Sequence, residues 1–312
     1  MFIGCGGWHY FNAPGDKLVN YSKLYNFVEV NTTFYQLPKF SIVKKWRSKV
    51  PRNFMFAIKA NKVLSHDAPF QVTESNLKIL DYLLKICKLL GSSFLLFQTP
   101  VYYHPSKQNL SKAALFFEHL QGKNLELLWE IRGPFSSFFQ RDQFKSLCRK
   151  YKVTHVTDIL RELPLHVEHT FYTRIFGRGN GNKWELSNKE IKDVYSFIKP
   201  IETDRKVVVS FHTMRMENDA IKFGQYNKTN TLLSYLPEIG VKSALKSIKE
   251  LNQYPISKKI LLAEHGWKLL QVNENEQIRL SKVLNIIEDR IYNNYYDLKG
   301  QIQEIFSKNF NN

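Results

Sequence analysis

Short apolar runs that end in polar residues recur along the whole chain. In FVEVNTTFYQLP, residues 27–38, the run carries Glu29 and Asn31 and is followed by Tyr35. Continuous apolar runs are typical of strands in a parallel sheet, which is buried on both faces. We identify eight, at about residues 2–6, 27–31, 54–60, 94–98, 125–131, 153–159, 171–176 and 207–211.

Most of the runs are separated by segments with helical spacing. In one of them Leu80, Leu83, Cys87 and Leu90 fall on a single helical face. Eight strands that alternate with helices predict an α/β fold, a TIM-type (β/α)8 barrel with room for irregularity. A doubly wound open sheet has the same alternation, but the glycines of GCGGWHYFNAPG, residues 4–15, lack the GxGxxG spacing typical of that fold.

The end of the chain has a different pattern. From Glu276 onward apolar residues recur three or four positions apart, which predicts one amphipathic helix with Gly300 as the place for a kink. We therefore expect a barrel over residues 1–239 and a helical C-terminal extension over residues 240–312 that packs on the barrel. An intermolecular helix pair is the alternative, so the expected state is a monomer or a weak homodimer through the C-terminal helix.

The composition predicts a globular, cytoplasmic protein. Of 312 residues, 43% are hydrophobic, which is enough for a large core. The three cysteines have unrelated spacings, so neither a disulfide framework nor a structural zinc site is favoured. No run approaches the roughly 18 apolar residues of a membrane span, and the first residues lack the pattern of a signal peptide. We expect no membrane partner.

The charge of the chain points to an anionic partner. The net charge is +17 and the pI is about 9.6. Residues before Gly240 carry 34 Lys and Arg against 20 Asp and Glu, so most of the excess lies in the predicted barrel. Nucleic acid or another phosphate-bearing substrate is the expected partner. A lysine-rich, solvated surface is the alternative explanation.

Five motifs together resemble the domain-of-unknown-function 72 (YecE-like) family. They are GCGGWHYF, VEVNTTFYQLP, FAIKAN with the Ser-His pair at residues 65–66, LLFQTP, and EIR at residues 130–132. The second is the most specific, because its Glu, Asn, Phe-Tyr and Leu-Pro keep both identity and order. The resemblance covers about residues 1–225 and implies a TIM-barrel-like fold, whereas the activity of the family is not established.

The chain departs from the family pattern in three places. Near the eighth strand the family tends to have Phe-Asn-Asn where this chain has Phe211, His212 and Thr213. The family usually has histidine where this chain has Gly133 and Phe176. If those histidines bind metal or move protons in the family, this chain has relocated that function or lost it.

Carboxylates at strand ends are the main candidates for chemistry. Glu29 and Glu130 end two different predicted strands, so they can hold a divalent cation or divide acid and base roles. The alternative is a buried ion pair of Glu29 with Lys59 or Arg132. Mn or Mg is the predicted cofactor and no organic cofactor is expected. The predicted metal ligands are Glu29, Glu130, His66, Asp158 and His212; the predicted catalytic residues are Glu29, Glu130, Lys59 and Arg132.

The loop after the seventh predicted strand is the candidate phosphate site. FGRGNGNKW, residues 176–184, offers glycine amides with Arg178 and Lys183 beside them, and barrels often bind phosphate beyond strands seven and eight. The spacing matches no Walker motif, and a plain mobile loop is the alternative. The other predicted substrate contacts are Trp8, Asn31, Tyr35, Gln98 and Arg174.

Three functions follow from these candidates. The first is a metal-assisted phosphodiester hydrolase that acts on nucleic acid, with Arg132 and Arg174 on the phosphate. The second is a small-molecule barrel enzyme, an isomerase or lyase on a phosphorylated sugar, with Lys59 or Glu130 as the base. The third is a non-catalytic nucleic-acid-binding scaffold, suggested by the two absent histidines. The first is expected, since it alone uses the charge, the barrel and the polar strand ends together.

Overall fold

A computed structural model describes residues 1–232, 238–251, 253–274 and 276–310 of the chain. Packing divides the chain into two compact units. Unit 1 comprises Met1–Ile175, Val194–His212 and Met216–Ile221, and unit 2 comprises Phe176–Asp193, Thr213–Arg215 and Lys222–Asn312. The boundary predicted after residue 239 does not coincide with this division, because the chain first enters unit 2 directly after the seventh strand.

Unit 1 is built on eight strands. They are β1 (Phe2–Cys5), β2 (Phe27–Val30), β3 (Met55–Lys59), β4 (Phe94–Thr99), β5 (Glu126–Ile131), β6 (Val153–His155), β7 (Thr170–Ile175) and β8 (Lys206–Phe211). Their order in the sheet is β6-β5-β4-β3-β2-β1-β8-β7, and all neighbours are parallel. A parallel bridge between Thr157 and Thr173 joins the two edges. The eight strands and the barrel fold are therefore confirmed.

Helices follow most of the strands. They are α1 (Lys17–Leu24), α2 (Thr32–Tyr35), α3 (Phe40–Ser48), α4 (Glu74–Leu90), α5 (Lys107–Glu118), α6 (Phe138–Lys150), α7 (Asn188–Glu202) and α8 (Met216–Thr229), with a π-helical turn at Val63–Asp67. The connection from β6 to β7, residues 156–169, is fully described and contains no helix, which is the irregularity of this barrel. None of the helices in the described ranges is long and apolar enough to cross a membrane.

Capping residues set the starts of three outer helices. Thr73, Ser106 and Ser137 precede α4, α5 and α6, and each side-chain oxygen accepts a hydrogen bond from the backbone N–H three residues later. Such N-caps satisfy an amide that the helix itself leaves unpaired. The sequence therefore defines where these helices begin.

Side-chain alternation along the strands divides the barrel interior into two layers. The apolar layer contains Phe27, Ala57, Phe94, Leu96, Leu128, Val156, Tyr172 and Val208. Alternate residues of a strand face the same side. The residues two positions later therefore form a polar layer nearer the carboxyl ends of the strands, and they include Glu29, Lys59, Gln98, Glu130, Arg174 and Ser210.

Unit 2 has a hydrophobic core of its own. Its further helices are α9 (Val241–Lys249), α10 (Lys258–His265), α11 (Leu280–Leu284) and α12 (Tyr295–Asn309). Two antiparallel strand pairs join them, β9 (Ile256–Ser257) with β12 (Ile291–Tyr292) and β10 (Leu269–Gln271) with β11 (Gln277–Arg279). Ile248, Leu261, Leu280, Leu298 and Ile302 are among its buried residues.

The prediction of one amphipathic helix from Glu276 is wrong. That segment forms β11, α11, β12 and α12 in succession. The Arg290 guanidinium pairs with Asp297, and the Asn294 side chain accepts from the backbone N–H of Asp297, so a new helix begins there. Gly300 lies inside α12. Most of the regularly spaced apolar residues are buried, but they belong to several short elements and not to one helix.

A tyrosine from α1 bridges β1 and β2. The Tyr21 hydroxyl accepts a hydrogen bond from Cys5 N at 2.7 Å and donates one to Phe27 O at 3.0 Å. Gly4 leaves room for it, because a Cβ at that position would lie 2.8 Å from the hydroxyl and 1.9 Å from Phe27 O. The phenol thus satisfies a buried amide and a buried carbonyl at the same time.

Tyr21→Phe should be markedly destabilising. It removes a hydrogen bond from each of two buried backbone groups, and a buried group that loses its partner costs about 1–3 kcal/mol. Tyr296→Phe is the matched control, because Tyr296 is 77% exposed; its effect should stay within about 0.5 kcal/mol. Guanidinium chloride unfolding of both variants measures the difference, and equal stabilities would show that the bridge contributes nothing.

Candidate functional site

Arg174 joins two carboxylates inside the barrel. Its Nη2 donates to Glu29 Oε1 at 2.8 Å and its Nε to Glu29 Oε2 at 3.1 Å, while Nη1 donates to Glu130 Oε2. Arg174 is 2% exposed and Glu29 is fully buried. A buried guanidinium is tolerated only with such partners. The interaction ties together β2, β5 and β7.

Glu29 accepts further hydrogen bonds from side chains of β7 and β8. Tyr172 Oη donates to Glu29 Oε2 at 2.9 Å, and Ser210 Oγ lies 3.3 Å from the same oxygen. Burial alone raises the pKa of Glu29, but Arg174 outweighs it and holds that pKa well below its usual range. His212 Nε2 is 3.3 Å from Glu29 Oε2. Burial, with help from Arg174, lowers the pKa of His212 to about 4, so the imidazole is neutral at neutral pH.

Glu130 pairs with a second arginine near the end of its strand. Arg132 Nε donates to Glu130 Oε1 at 2.5 Å, and the Arg132 side chain is 39% exposed. Burial opposes ionisation of Glu130, but Arg174 and Arg132 together lower its pKa to about 2. The predicted ion pair of Glu29 with Lys59 or Arg132 is therefore replaced by pairs of Glu29 with Arg174 and of Glu130 with both arginines.

Lys59 is the base candidate in this layer. Its Nζ lies 4.1 Å from the centre of the Phe34 ring. Burial is the main cause that lowers its pKa to about 7, and the Arg174 cation adds to it, while Glu29 and Glu130 oppose the shift. A large fraction of the amine is thus unprotonated at neutral pH, as a general base or a nucleophile requires.

His66 and Asp158 are placed mainly by their own loops. His66 lies in the π-helical turn, where Nδ1 is 3.0 Å from Ser65 Oγ and the ring packs on Phe34. Burial lowers its pKa, and so do the cations of Lys59 and Arg132. The carboxylate of Asp158 accepts from Leu160 N at 3.0 Å and lies 3.6 Å from Arg161 Nε.

The predicted metal ligands are not assembled into a binding group. Within the described ranges, no set of three or more His, Cys, Asp or Glu side chains is arranged to hold a metal ion. The oxygens of Glu29 and Glu130 are instead occupied by hydrogen-bond donors of the protein. The Mn or Mg site stays a prediction.

Two predicted substrate contacts present unused acceptors. Asn31 donates through Nδ2 to Gly6 O at 2.8 Å. Asn31 Oδ1 and Gln98 Oε1 are both buried and have no hydrogen-bond partner in the described part of the chain. Tyr35 is 73% exposed. Trp8 packs edge-to-face on Trp46 of α3, with ring centres 5.3 Å apart, so it serves packing there.

The predicted phosphate loop belongs to unit 2 and is tied to that unit. Arg178 Nε is 4.0 Å from Glu190 Oε1, and Lys183 pairs with Glu264. The Trp184 indole donates to Glu190 Oε1 at 3.0 Å, and Arg279 stacks over its ring at 3.8 Å. The loop thus makes ion-pair, hydrogen-bond and cation–π contacts within unit 2, and its binding of phosphate stays a prediction.

Backbone packing explains one of the absent histidines. A Cβ at Gly133 would lie 2.0 Å from Tyr103 O and 3.0 Å from His104 N. The loop after β4 therefore approaches Gly133 so closely that any side chain would require it to move. The close backbone contact is therefore compatible with glycine at position 133 and not with histidine.

Sequence reasoning missed three contributors to the polar layer. Tyr172 and Ser210 bond to Glu29, and Gly6 makes room for His212, since a Cβ there would lie 2.3 Å from the imidazole. The signal was present in the alternation: Tyr172 is two residues before Arg174 on β7, and Ser210 is two residues before His212.

Comparison with known proteins identifies relatives over most of the chain. A family model described as "Protein of unknown function DUF72" matches residues 2–231. A DUF72 family protein of Enterococcus faecalis superposes with a TM-score of 0.62 at 16% identity, covering 75% of this chain and 96% of that one. A DUF72 family protein of Thermotoga maritima gives 0.57 at 15% identity, covering 73% and 98%. These structures share the fold.

A sequence relative matches over a shorter stretch. The UPF0759 protein YecE of Escherichia coli K12 is 41% identical over 71 residues, which is 22% of this chain. The match spans only about a quarter of YecE, 26% of its length. It supports the family resemblance and carries no activity to this chain.

Arg174→Met should be among the most destabilising changes in the barrel. It leaves the Glu29 and Glu130 carboxylates buried without their shared cation, and breaking a buried pair in this way costs about 3–5 kcal/mol. Arg52→Met is the matched control on an exposed arginine and should change stability by less than about 0.5 kcal/mol. Urea unfolding monitored by circular dichroism compares them; a loss below about 1 kcal/mol at Arg174 would contradict the ion-pair network as a stability determinant.

Proposed function

The chain belongs to the DUF72 family, and from the geometry of its barrel we propose that it is an enzyme of proton transfer on a small, phosphate-bearing substrate. An isomerase or lyase that acts on a phosphorylated sugar fits this description. The observation that carries the proposal is the Lys59 amine, whose pKa lies at about 7 beside a buried arginine–carboxylate network. Barrels of this fold support many unrelated reactions, so the side chains of the site, and not the fold, indicate the function.

Lys59 is the proposed proton acceptor. Barrel enzymes work at the carboxyl ends of their strands, and Lys59 is the last residue of β3. A base with a pKa near the working pH is available in its unprotonated form and still takes a proton effectively. Arg174 and the two glutamates act as positioning residues, because their charges shift the pKa of the Lys59 amine and they do not themselves take the proton.

Arg132 is the proposed ligand of the substrate anion. The carboxylates of Glu29 and Glu130 are balanced by the guanidinium groups of Arg174 and Arg132, so any protonated fraction of Lys59 makes the group positive. Arg132 has the most exposed of these side chains, at 39%. A guanidinium offers paired donors that match a phosphate group.

Metal-assisted hydrolysis of nucleic acid is the second candidate. A specific observation favours it: residues 17–66 hold ten basic residues and one acidic residue, the buried Glu29. The basic residues are Lys17, Lys23, Lys39, Lys44, Lys45, Arg47, Lys49, Arg52, Lys59 and Lys62. Such a stretch attracts polyanions through a salt-dependent interaction. The hydrolase further requires the glutamates to exchange their arginine partners for Mn or Mg, so it ranks below the first candidate.

Competitive labelling of Lys59 tests the proposal without a known substrate. Trace acetic anhydride reacts with the neutral amine, so labelling of Lys59, followed by peptide mass spectrometry, should rise with pH around a midpoint near 7. Lysines of the outer helices are internal references, since an unperturbed lysine has a pKa of about 10.4. Dihydroxyacetone phosphate, D-ribose 5-phosphate and inorganic phosphate are then tested for protection of Lys59.

Matched arginine variants separate site effects from general charge effects. Arg132 is one of the cations that lower the pKa of Lys59, so Arg132→Gln should move the midpoint upward and abolish protection, while Arg52→Gln should leave both unchanged. A Lys59 midpoint near that of exposed lysines would refute the proposal. Metal-dependent cleavage of DNA or RNA that is lost in Glu29→Gln but retained in Lys59→Met would favour the second candidate.

A further inference from the structure

The surroundings of Lys59 contain features that proton transfer alone does not use. Asn31 directly follows β2 and Gln98 lies on β4, so the two residues come from the strands on either side of β3. Asn31 Oδ1 and Gln98 Oε1 are buried acceptors without a hydrogen-bond partner among the described residues. An unpaired buried acceptor is costly. Both are therefore suited to hydroxyl groups of a bound molecule.

The Lys59 amine lies against an aromatic ring and has no ion-pair partner among the described residues. Among the residues that the structure describes, its Nζ makes no ion pair and lies 4.1 Å from the centre of the Phe34 ring. Lys59 shares the inner face of β3 with Ala57, whose small side chain belongs to the apolar layer. The arginines already occupy the nearest carboxylates, so no carboxylate within bonding distance holds the ammonium form.

We propose that Lys59 is a nucleophile that forms a Schiff base with the aldehyde or ketone group of a hydroxylated substrate, with Asn31 and Gln98 as acceptors for its hydroxyl groups. The inference rests on the proposed function for the phosphate-bearing substrate and its Arg132 ligand. It adds a covalent intermediate and a substrate class, the phosphorylated hydroxy-carbonyl compounds. A lysine next to cationic groups and largely desolvated is activated for this chemistry.

The condensation balances without a further reactant. The neutral Nζ attacks the carbonyl carbon, a C–N bond forms, and one amine hydrogen moves to the carbonyl oxygen to give a carbinolamine. The C–O bond then breaks, and the oxygen leaves as water with the second amine hydrogen. Amine and carbonyl thus become imine and water, and no group is oxidised or reduced. Protonation of the imine makes it an electron sink for cleavage of the adjacent C–H or C–C bond.

A buried lysine of unit 2 provides a control. Lys222 is 3% exposed, and its Nζ is 3.9 Å from Glu185 Oε1. It belongs to unit 2 and has a carboxylate nearby, whereas Lys59 makes no ion pair with any carboxylate in the described ranges. Burial alone would make the two lysines equally reactive. The proposal requires that only Lys59 forms an imine readily.

Reductive trapping tests the proposal in the intact chain. The protein is incubated at pH 7 with sodium cyanoborohydride and either dihydroxyacetone phosphate or D-glyceraldehyde 3-phosphate, and adducts are located by peptide mapping. Trapping at Lys59 should exceed that at exposed lysines on the order of 100-fold, because a far larger share of its amine is neutral. Lys59→Met should lose the adduct and Lys222→Met should keep it.

Further variants address the hydroxyl acceptors. Gln98→Leu should slow trapping of the hydroxylated probes and leave trapping of acetaldehyde, which has no hydroxyl group, unchanged. Equal rates at Lys59 and at exposed lysines would overturn the Schiff base. If Lys59 then still titrates near pH 7 and is protected by sugar phosphates, it acts as a base and the proposed function stands. If titration and protection fail too, both proposals fall.

Discussion

Arg174 pairs with Glu29 and Glu130 inside the barrel, and this buried ion pair constrains the strands that carry the three side chains. It places one guanidinium and two carboxylates in the interior of a barrel, where each charge alone would be prohibitively costly. Because the three side chains come from β7, β2 and β5, the pairing also links strands on opposite sides of the barrel. Tyr172 and Ser210 satisfy the oxygen of Glu29 that Arg174 only partly occupies. The barrel interior is thus held together by ion pairs and hydrogen bonds as well as by apolar packing.

The same network sets the chemistry of the layer. Burial is the main cause that lowers the pKa of Lys59 and of His212; Arg174 adds to it, and the glutamates counteract part of the shift of Lys59. The amine is consequently poised near neutrality, and the imidazole is neutral. Removal of Arg174 would therefore leave two buried carboxylates without their shared cation and would also raise the pKa of Lys59, whereas removal of either glutamate would lower that pKa further. Buried charge clusters with strongly shifted pKa values are frequent at functional sites.

Local sequence was sufficient for the barrel strands and insufficient for the C-terminal region. Strands buried on both faces need continuous apolar runs, so each of the eight was visible as a run such as FLLFQT at Phe94–Thr99. From Glu276 the same apolar spacing serves α11, β12 and α12. The breaks are caused by contacts between separate residues, such as Arg290 with Asp297, which no periodicity reveals. The spacing of hydrophobic residues identifies which residues are buried, but tertiary packing determines whether they form a helix or a strand.

The site shows a similar division between what alternation determines and what it leaves open. Alternation places Glu29, Lys59, Glu130 and Arg174 on the inner faces of their strands, and those residues were predicted. It does not determine which cation meets which carboxylate, because that depends on the stagger of strands around the barrel. Arg174 reaches both glutamates, whereas Lys59 is left over the Phe34 ring. Among the described residues Lys59 has no carboxylate partner, because Arg174 occupies both glutamates; this is the arrangement from which we propose Lys59 as the reactive group.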